Sequence, residues 1–422
     1  PLIIPGILFT ISWIMLASPK IGLINLFLQN LFQTEHIFVD IYSMGGMIWV
    51  EGLHYSPMAF LLMTAAFRSM DPALEESAMM SGATIPQVVT RVTLRLAWPA
   101  ILATNMLLFV RAIEAFEVPA LLGLPAGIQV FVSAIFKAVR RYPSQIGLAS
   151  AYAFILLLIT SLGIYLQSRL STQGSKYATV TGKGYRPRPL DIGKWRYLTT
   201  MIFIGYFLLI VTLPFLVLFW TSLQEFYRVP SLDALHHLSW KAYTYLWEFP
   251  VVGRSVWNSL RLSIGSATSV MLLTAVISWI LVKTRIPGRW LLDNLASLPL
   301  VFPGLVLGLS IMIFYLHVKI GVYGTLWIML FAYITRFLPY GMRFNTTSVL
   351  QIHSELEESA AVCGARWATS FWKIVLPLMM PGLLGGWIYI VIISIRELSS
   401  SILLYSPGSE VIAIIFWEMW VM

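Results

Sequence analysis

The sequence predicts an all-α, polytopic membrane protein, a transmembrane helical bundle. Of its 422 residues, 58% are hydrophobic and only 11% are charged, and the mean hydropathy is +0.79. This composition lies outside the range of soluble domains. The apolar runs lack the strict alternation of membrane β-strands, so each backbone segment must satisfy its own hydrogen bonds as a helix.

Nine apolar segments are long enough, or nearly so, to cross the bilayer core, which takes about 20 helical residues. We expect a weaker tenth segment at 411–422. In chain order the nine predicted spans are 2–17, 43–67, 96–122, 147–167, 198–222, 256–282, 291–317, 322–344 and 378–395.

Composition also disfavours several classes of function. The chain has one cysteine, Cys363, so it can form no internal disulfide and no cysteine metal cluster. The net charge of +9 is typical of cytoplasmic loops in a membrane protein, so we expect no nucleic-acid partner. The pair His236 and His237 lacks a third ligand nearby and favours an interfacial outer helix over a metal site.

A repeat divides the chain into two halves. LEESAMMSGA at 74–83 recurs as LEESAAVCGA at 356–365, and we call this difference of 282 in residue number the repeat offset. The same offset relates other pairs, namely Pro57 and Pro339, Leu94 and Leu376, Pro99 and Pro381, and Pro125 and Pro407. The phrase PLIIPG at Pro1 recurs as PLVFPG at Pro299, a larger offset of 298, so the first half carries an insertion between its two motifs.

The repeat predicts three regions. Residues 1–168 form the first repeat, 169–196 a linker and 197–422 the second repeat. The linker is polar and has a single acid, Asp191, among many Lys and Arg residues, which places it in the cytoplasm. The second repeat has two spans before its proline phrase and the first has none. We therefore expect two further spans before Pro1 and one after Met422.

Each half contains a helical elbow, which is a short acidic helix, a glycine and a second helix that leads into the membrane. In the first elbow, Asp71 is the expected N-cap and Pro72 the first helical residue. In the second, Ser354 and Glu357 are spaced as a capping box. Either elbow alone would fit a well-capped surface helix equally well. Two copies at one offset favour a surface that another protein binds.

The elbows resemble the EAA loop of permease subunits of binding-protein-dependent bacterial ABC importers. The first matches as Glu76-Ser77-Ala78 with Gly82, and the second as Glu358-Ser359-Ala360 with Gly364. The second copy keeps the family's Leu-Pro ending at Leu376-Pro377, whereas the first has Leu94-Arg95. The resemblance implies an ATPase-coupling set made of Glu75, Glu76, Ala78, Gly82, Glu357, Glu358, Ala360 and Gly364.

The resemblance further implies the type I importer permease fold, in the bacterial cytoplasmic (inner) membrane. Each elbow would dock on one of two ABC ATPase copies, and a periplasmic or extracellular binding protein would deliver the substrate. The chain looks most like the ferric-iron branch; thiamine, polyamine and phosphonate importers are close alternatives, and an ion-coupled carrier is a more distant one.

We expect no enzyme activity and no cofactor bound directly by this chain. The glycine-rich stretch GSKYATVTGKG departs from a phosphate-binding loop in spacing and in its last residue, so ATP would be used by partner subunits. No H-E-x-x-H motif occurs, which disfavours a membrane metalloenzyme.

Ionisable residues at membrane depth are costly and usually functional. We interpret seven residues as candidates for the translocation pathway: Arg111, Glu114, Glu117, Arg396, Glu397, Ser399 and Ser400. Arg111 and Glu114 are three positions apart on a helix, and mutual neutralisation explains them equally well. Glu51, His54 and Arg336 lie near the paired prolines and are more typical of residues that orient helices.

Overall fold

The computed structural model describes residues 4–68, 70–174, 193–318 and 320–421. These residues form helices joined by loops, and none of them lies in a β-strand, so the all-α prediction is confirmed. Cα packing divides the chain into two compact units. Unit 1 comprises Pro1–Ala134 and Phe154–Ala242, and unit 2 comprises Ile135–Ala153 and Tyr243–Met422. Residues 175–192 of the expected linker lie outside the described residues, and the domain boundaries at 168 and 196 stay predictions.

Unit 1 is built from the helices of the N-terminal half and a segment that follows the linker. Three helices contribute residues to both units, namely Phe131–Arg140, Ile146–Gly174 and Lys241–Glu248. The bounds are α1 Gly6–Ala17, α2 Leu23–Phe32, α3 Met44–Arg68, α4 Pro72–Met80, α5 Ile85–Val88, α6 Leu94–Glu114, α7 Phe131–Arg140, α8 Ile146–Gly174, α9 Trp195–Phe207, α10 Leu213–Ser222, α11 Leu232–Leu235 and α12 Lys241–Glu248.

Unit 2 is organised around the long helix Pro250–Lys283, which packs against the helices Leu326–Leu350 and Leu376–Ile395. The bounds are α13 Pro250–Lys283, α14 Arg289–Ser297, α15 Gly304–His317, α16 Leu326–Leu350, α17 Glu355–Val362, α18 Trp367–Ser370, α19 Leu376–Ile395, α20 Ser401–Leu404 and α21 Ile412–Val421.

Five continuous helical segments within the described residues are long and apolar enough to cross a membrane. They are Ile85–Glu114, Ile146–Arg169, Trp195–Ser222, Pro250–Lys283 and Trp367–Ile395. The predicted span 2–17 corresponds to α1, whose 12 residues are too few to cross alone. The predicted spans 43–67 and 322–344 correspond to α3 and α16, which are 25 residues long.

The segment predicted as a span at 291–317 is not one straight helix. The segment Arg289–Val301 and the helix Gly304–His317 are bent by 109° at the break between them. Pro303 is the residue before α15, with an extended ψ of 143°. Proline lacks an N–H and disfavours helical geometry in the residue before it, which explains why the chain turns at Phe302.

The repeat offset found in the sequence also relates the helices. The 25-residue helices α3 and α16 begin and end at positions related by this offset, and each has an internal proline, Pro57 or Pro339. A π-helical turn precedes α6 at Val89–Thr93, and another precedes α19 at Phe371–Val375, again at the repeat offset. The two halves therefore carry the same local irregularities as well as the same motifs.

Candidate functional site

The first elbow is formed by α4, a glycine turn and α5. Asp71 is the N-cap of α4, as predicted, and its Oδ1 accepts a hydrogen bond of 2.9 Å from the backbone N–H of Ala73. At the other end Gly82 has φ of 87°, the left-handed conformation that glycine adopts without steric cost. The N–H of Ala83 donates to the carbonyl of Ala78, so the helix ends in a Schellman motif.

The second elbow has the same termination. Gly364 has φ of 80°, and the N–H of Ala365 donates to the carbonyl of Ala360 at 2.9 Å. Its start differs from the prediction, because Ser354 makes no side-chain cap and the expected capping box is wrong. The Glu357 carboxylate instead accepts a hydrogen bond from the indole Nε1 of Trp279 at 2.6 Å.

The eight residues of the predicted coupling set fall into two groups by exposure. Glu76, Glu358 and the two turn glycines are exposed. Glu75, Glu357, Ala78 and Ala360 are partly buried. In each elbow, therefore, one acidic residue is exposed to solvent and the acidic residue before it is partly buried.

An exposed apolar side chain stands at the end of each acidic helix. Met80 is 90% exposed and Val362 is 89% exposed, among the largest values of any apolar residue described. The repeat offset relates the two positions. Sequence reasoning missed both residues, although the repeat aligns them and could have indicated them.

The inward-facing acids have different partners. Glu75 accepts a hydrogen bond of 2.5 Å from the hydroxyl of Thr93, in the π-helical turn that follows the same elbow. Glu357 is bonded to Trp279 and lies 3.9 Å from the ammonium of Lys283, so its partners belong to α13. Trp279 and Lys283 were not identified from the sequence, because they lie on an earlier helix, far from Glu357 along the chain.

Three of the predicted pathway residues lie near the end of α6. The guanidinium of Arg111 is 3.2 Å from a carboxylate oxygen of Glu114, and Glu114 is buried. The ion pair that would explain these two charges by mutual neutralisation is therefore present, and the pathway role stays a prediction. The carboxylate of Glu117 lies against Gly6 at the start of α1, where the Nε2 of His54 also approaches.

The other four predicted pathway residues follow α19. Arg396 ends that helix, and Glu397, Ser399 and Ser400 are buried after it. One oxygen of Glu397 accepts hydrogen bonds from the backbone N–H and the hydroxyl of Ser400. The other lies 3.1 Å from Nε of Arg336. The pairing with Arg336 was not predicted.

The two halves use the same position of the proline-kinked helix for a basic side chain. His54 of α3 and Arg336 of α16 are related by the repeat offset, and each approaches the glycine that begins α1 or α15. Among the described residues, no three His, Cys, Asp or Glu side chains are grouped so that they could hold a metal ion.

The chain matches the family described as the binding-protein-dependent transport system inner membrane component, over residues 2–173 and 271–419. It belongs to this family. The matched residues make up well over half of the chain and include both elbows. The family description confirms the predicted class, a transport permease, and the predicted location in the inner membrane.

Individual relatives carry names of several importers. The chain is 26% identical over 89% of its length to the ferric transport system permease homologue FbpB 1 of Haemophilus influenzae. It is 24% identical over 88% of its length to the ferric transport system permease FbpB of Actinobacillus pleuropneumoniae. The spermidine/putrescine permease PotC of Escherichia coli matches 43% of the chain at 23% identity.

The chain is shorter than these two ferric permease relatives. It spans 59% of the Haemophilus influenzae FbpB 1 protein and 53% of the Actinobacillus pleuropneumoniae protein, and thus between half and two thirds of their length.

Proposed function

We propose that this chain forms the transmembrane part of an ATP-driven importer and works by alternating access between its two homologous halves. A substrate-binding protein outside the membrane delivers the cargo, and partner ATPase subunits supply the energy. Membership of the binding-protein-dependent family supports the proposal. The duplicated elbows supply the contact through which ATP hydrolysis is coupled to the membrane helices.

The observation that carries the proposal is the pair of exposed side chains Met80 and Val362 at the ends of the acidic helices. Transfer of one such side chain from water into an apolar pocket contributes about 1.5 to 3 kcal/mol. The exposed carboxylates of Glu76 and Glu358 lie one helical turn earlier, so the expected partner surface is an apolar pocket with a basic rim. Two such elbows correspond to two copies of the ATPase, one on each.

Cys363, the one cysteine among these 422 residues, provides a direct test. Cys363 is exposed and follows Val362 in the second elbow. We expect a maleimide to label Cys363 rapidly in the intact protein purified alone, and at least ten times more slowly when the ATPase is bound. For the first elbow the matched variant is Ser81→Cys in a Cys363→Ser background, since the repeat offset relates Ser81 to Cys363.

The outcomes of this test are distinct. Protection of both cysteines supports docking of one ATPase on each elbow. Protection of one cysteine alone would limit the coupling to that elbow. If the protein purifies without an ATPase in several mild detergents and still moves substrate along an imposed ion gradient, the proposed function is wrong and an ion-coupled carrier replaces it.

For the cargo we propose ferric iron. Two of the relatives that match 88% or more of this chain are named as ferric transport permeases, whereas PotC and a sulfate permease match less than half of it. Uptake of radioactive iron, spermidine and sulfate should be compared in cells with and without the intact gene. Loss of iron uptake alone supports the proposal, and loss of spermidine or sulfate uptake alone would reassign the cargo.

The pathway role of the seven polar and charged residues also stays a proposal. The variant Glu114→Gln, Glu397→Gln, combined with Arg336→Met so that no unpaired charge is left beside position 397, should reduce uptake at least fivefold while ATPase binding is retained, if these carboxylates meet the cargo. Both carboxylates are already paired with arginines. Unchanged uptake in a complex of normal stability would leave them a purely structural role.

A further inference from the structure

The second elbow is attached to a membrane helix other than the one it continues into. We define the elbow tie as Glu357 of α17 with Trp279 and Lys283 of α13. The Glu357 side chain is only 17% exposed and that of Lys283 only 10%. An indole N–H at 2.6 Å and an ammonium at 3.9 Å share the two oxygens of one carboxylate. Bonds to a charged acceptor with this shielding are stronger than those at an open surface.

Further contacts strengthen the elbow tie. The indole ring of Trp279 stacks on Trp367 with ring centres 5.8 Å apart, and Trp367 begins the second helix of the elbow. Trp279 also meets Phe371 edge to face at 5.9 Å. The ammonium of Lys283 donates to the backbone carbonyl of Ile352, just before the elbow. The C-terminal end of α13 therefore contacts residues before α17, within α17 and after α17.

The opposite end of α13 is attached to the loop 405–411. We define the loop tie as Arg254, Asn258 and Ser259 of α13 with this loop and the start of α21. Arg254 pairs with the carboxylate of Glu410 at 3.2 Å. The amide of Asn258 donates to the backbone carbonyls of Gly408 and Glu410, and Ser259 accepts from the N–H of Ile412. These separate bonds fix the loop to the first turns of α13.

The helix between the two ties is continuous over 34 residues. From Arg254 to Trp279 the helical rise corresponds to about 37 Å. Between the ties, the amide of Asn345 in α16 donates to the carbonyl of Met271 and to the hydroxyl of Thr274. The structure therefore contains a continuous helical route between the two ties, bonded to α16 between them.

The covalent route from the elbow into the membrane is less regular. The chain enters α19 through the π-helical turn Phe371–Val375, where the ordinary i to i−4 hydrogen-bond pattern is interrupted. Such a turn can absorb movement of the elbow before it reaches α19. The bonds of Glu357 to Trp279 and Lys283 do not pass through this turn.

We propose that Trp279, Lys283 and Glu357 are positioning residues that transmit movement of the second elbow through α13 to the loop 405–411 at the other end of unit 2. The proposal rests on the proposed function, because it requires an ATPase to move the elbow. It assigns Glu357 a role inside the permease, while the neighbouring Glu358 stays exposed for the ATPase.

The test measures the chemical reactivity of the loop 405–411 while nucleotide binding to the ATPase moves the elbow. The intact protein with its co-expressed ATPase is placed in liposomes, with Cys363→Ser and Ser406→Cys as the background. A membrane-impermeant maleimide then reports the reactivity of position 406 without nucleotide and after trapping with ATP and vanadate. Neither measurement requires the cargo to be known. We expect nucleotide to change the labelling rate at least fivefold.

Trp279→Phe removes the indole N–H and keeps an aromatic ring against Trp367. We expect the nucleotide-dependent change in labelling to fall below twofold, with ATPase binding retained. Glu357→Gln keeps an acceptor for the indole and should retain part of the response, whereas Glu357→Ala should abolish it. Trp290→Phe, at an indole that is 66% exposed, is the matched control and should leave the response unchanged.

Four outcomes decide the proposal. Loss of the response in Trp279→Phe and Glu357→Ala, with the control intact, supports it. A full response in both variants, with the ATPase bound, overturns it and leaves the proposed function standing. An equal loss in Thr93→Val, which loosens only the first elbow, would also overturn it. If no ATPase co-purifies with the parent protein, the proposed function fails and the proposal fails with it.

Discussion

The guanidinium Nε of Arg336 lies 3.1 Å from a carboxylate oxygen of Glu397, and both side chains are largely buried. The second oxygen of Glu397 accepts two hydrogen bonds from Ser400 at the start of α20. The hydroxyl of Tyr333 donates to the Glu397 backbone carbonyl from one turn earlier on the helix of Arg336. This pair therefore fastens α16 to the segment that follows α19.

Removal of Arg336 should be strongly destabilising, because Glu397 would remain as an uncompensated buried charge. For Arg336→Met we expect a loss of about 3 to 5 kcal/mol, as for other buried ion pairs that lose one partner. Thermal unfolding in mild detergent measures the effect. The double variant Arg336→Met, Glu397→Gln should recover most of the loss, since no charge is then left buried. An Arg336→Met protein as stable as the parent would show that the pair is not needed.

Substitution of Gly304 should disturb the same pair. A Cβ at this position would collide with Nη1 of Arg336, so the guanidinium would have to leave its place beside Glu397. We expect Gly304→Ala to lower thermal stability by about 1 to 3 kcal/mol, the usual cost of overpacking. Gly265→Ala is the control, because its Cβ meets only Leu330 at an ordinary 3.5 Å. Equal stability of both variants would contradict the close approach.

The exposed tips of the elbows should determine ATPase binding. Met80→Asp and Val362→Asp each place a charge where an apolar pocket is expected, so each should weaken ATPase binding at least tenfold. Met80→Leu and Val362→Ile are matched controls that keep the apolar character. The amount of ATPase co-purified with the tagged intact protein measures the effect. Normal recovery with both aspartates present would exclude these two side chains as anchors.

The exposed ion pair between Glu225 and Lys241 predicts a pH effect. The Lys241 ammonium lies 2.7 Å from the Glu225 carboxylate, and its hydrogen bond and charge lower the pKa of Glu225 below the usual 4.5. A lowered folded-state pKa gives stability that is present above pH 4.5 and is lost as the pH falls through the lowered value. We therefore expect Lys241→Met to reduce thermal stability slightly at neutral pH and not in strong acid.

Measurement of the melting temperature of both proteins from about pH 3 to pH 8 checks this sign. Because both side chains are exposed, added salt should shrink the difference at neutral pH. A difference that grows as the pH falls would contradict the assignment.

Sequence reasoning located the helices where the repeat supplied two copies of the same pattern. The predicted spans 43–67 and 322–344 correspond to α3 and α16, and the glycine ends of both elbows are placed correctly. It failed where a side chain forms its hydrogen bond or ion pair with a residue far along the chain. Ser354 and Glu357 have the spacing of a capping box, but the indole and ammonium of α13 are available to Glu357 and replace the local bond. Periodicity within a few residues cannot reveal a partner on another helix.

The size of the bend at Phe302 could not be predicted for a related reason. The apolar run at 291–317 is nearly uninterrupted in composition, and hydropathy alone does not distinguish a straight span from two helices that meet at 109°. The phrase PLVFPG contained the relevant signal, because Pro303 precedes the glycine that begins α15. The close approach of Gly304 to Arg336 shows why a residue without a side chain is needed there.

The π-helical turns Val89–Thr93 and Phe371–Val375 have a consequence for the rotational phase of the chain. Each inserts one residue without completing a further turn, so side chains before and after it are out of phase by about 100° relative to a regular helix. A helical wheel drawn through either segment as one helix therefore assigns its lipid-facing and protein-facing sides incorrectly. Deletion of one residue within a turn would rotate the elbow against its own span with almost no change in composition. The direction in which each elbow points around the axis of its membrane helix therefore depends on the number of residues in the π-helical turn.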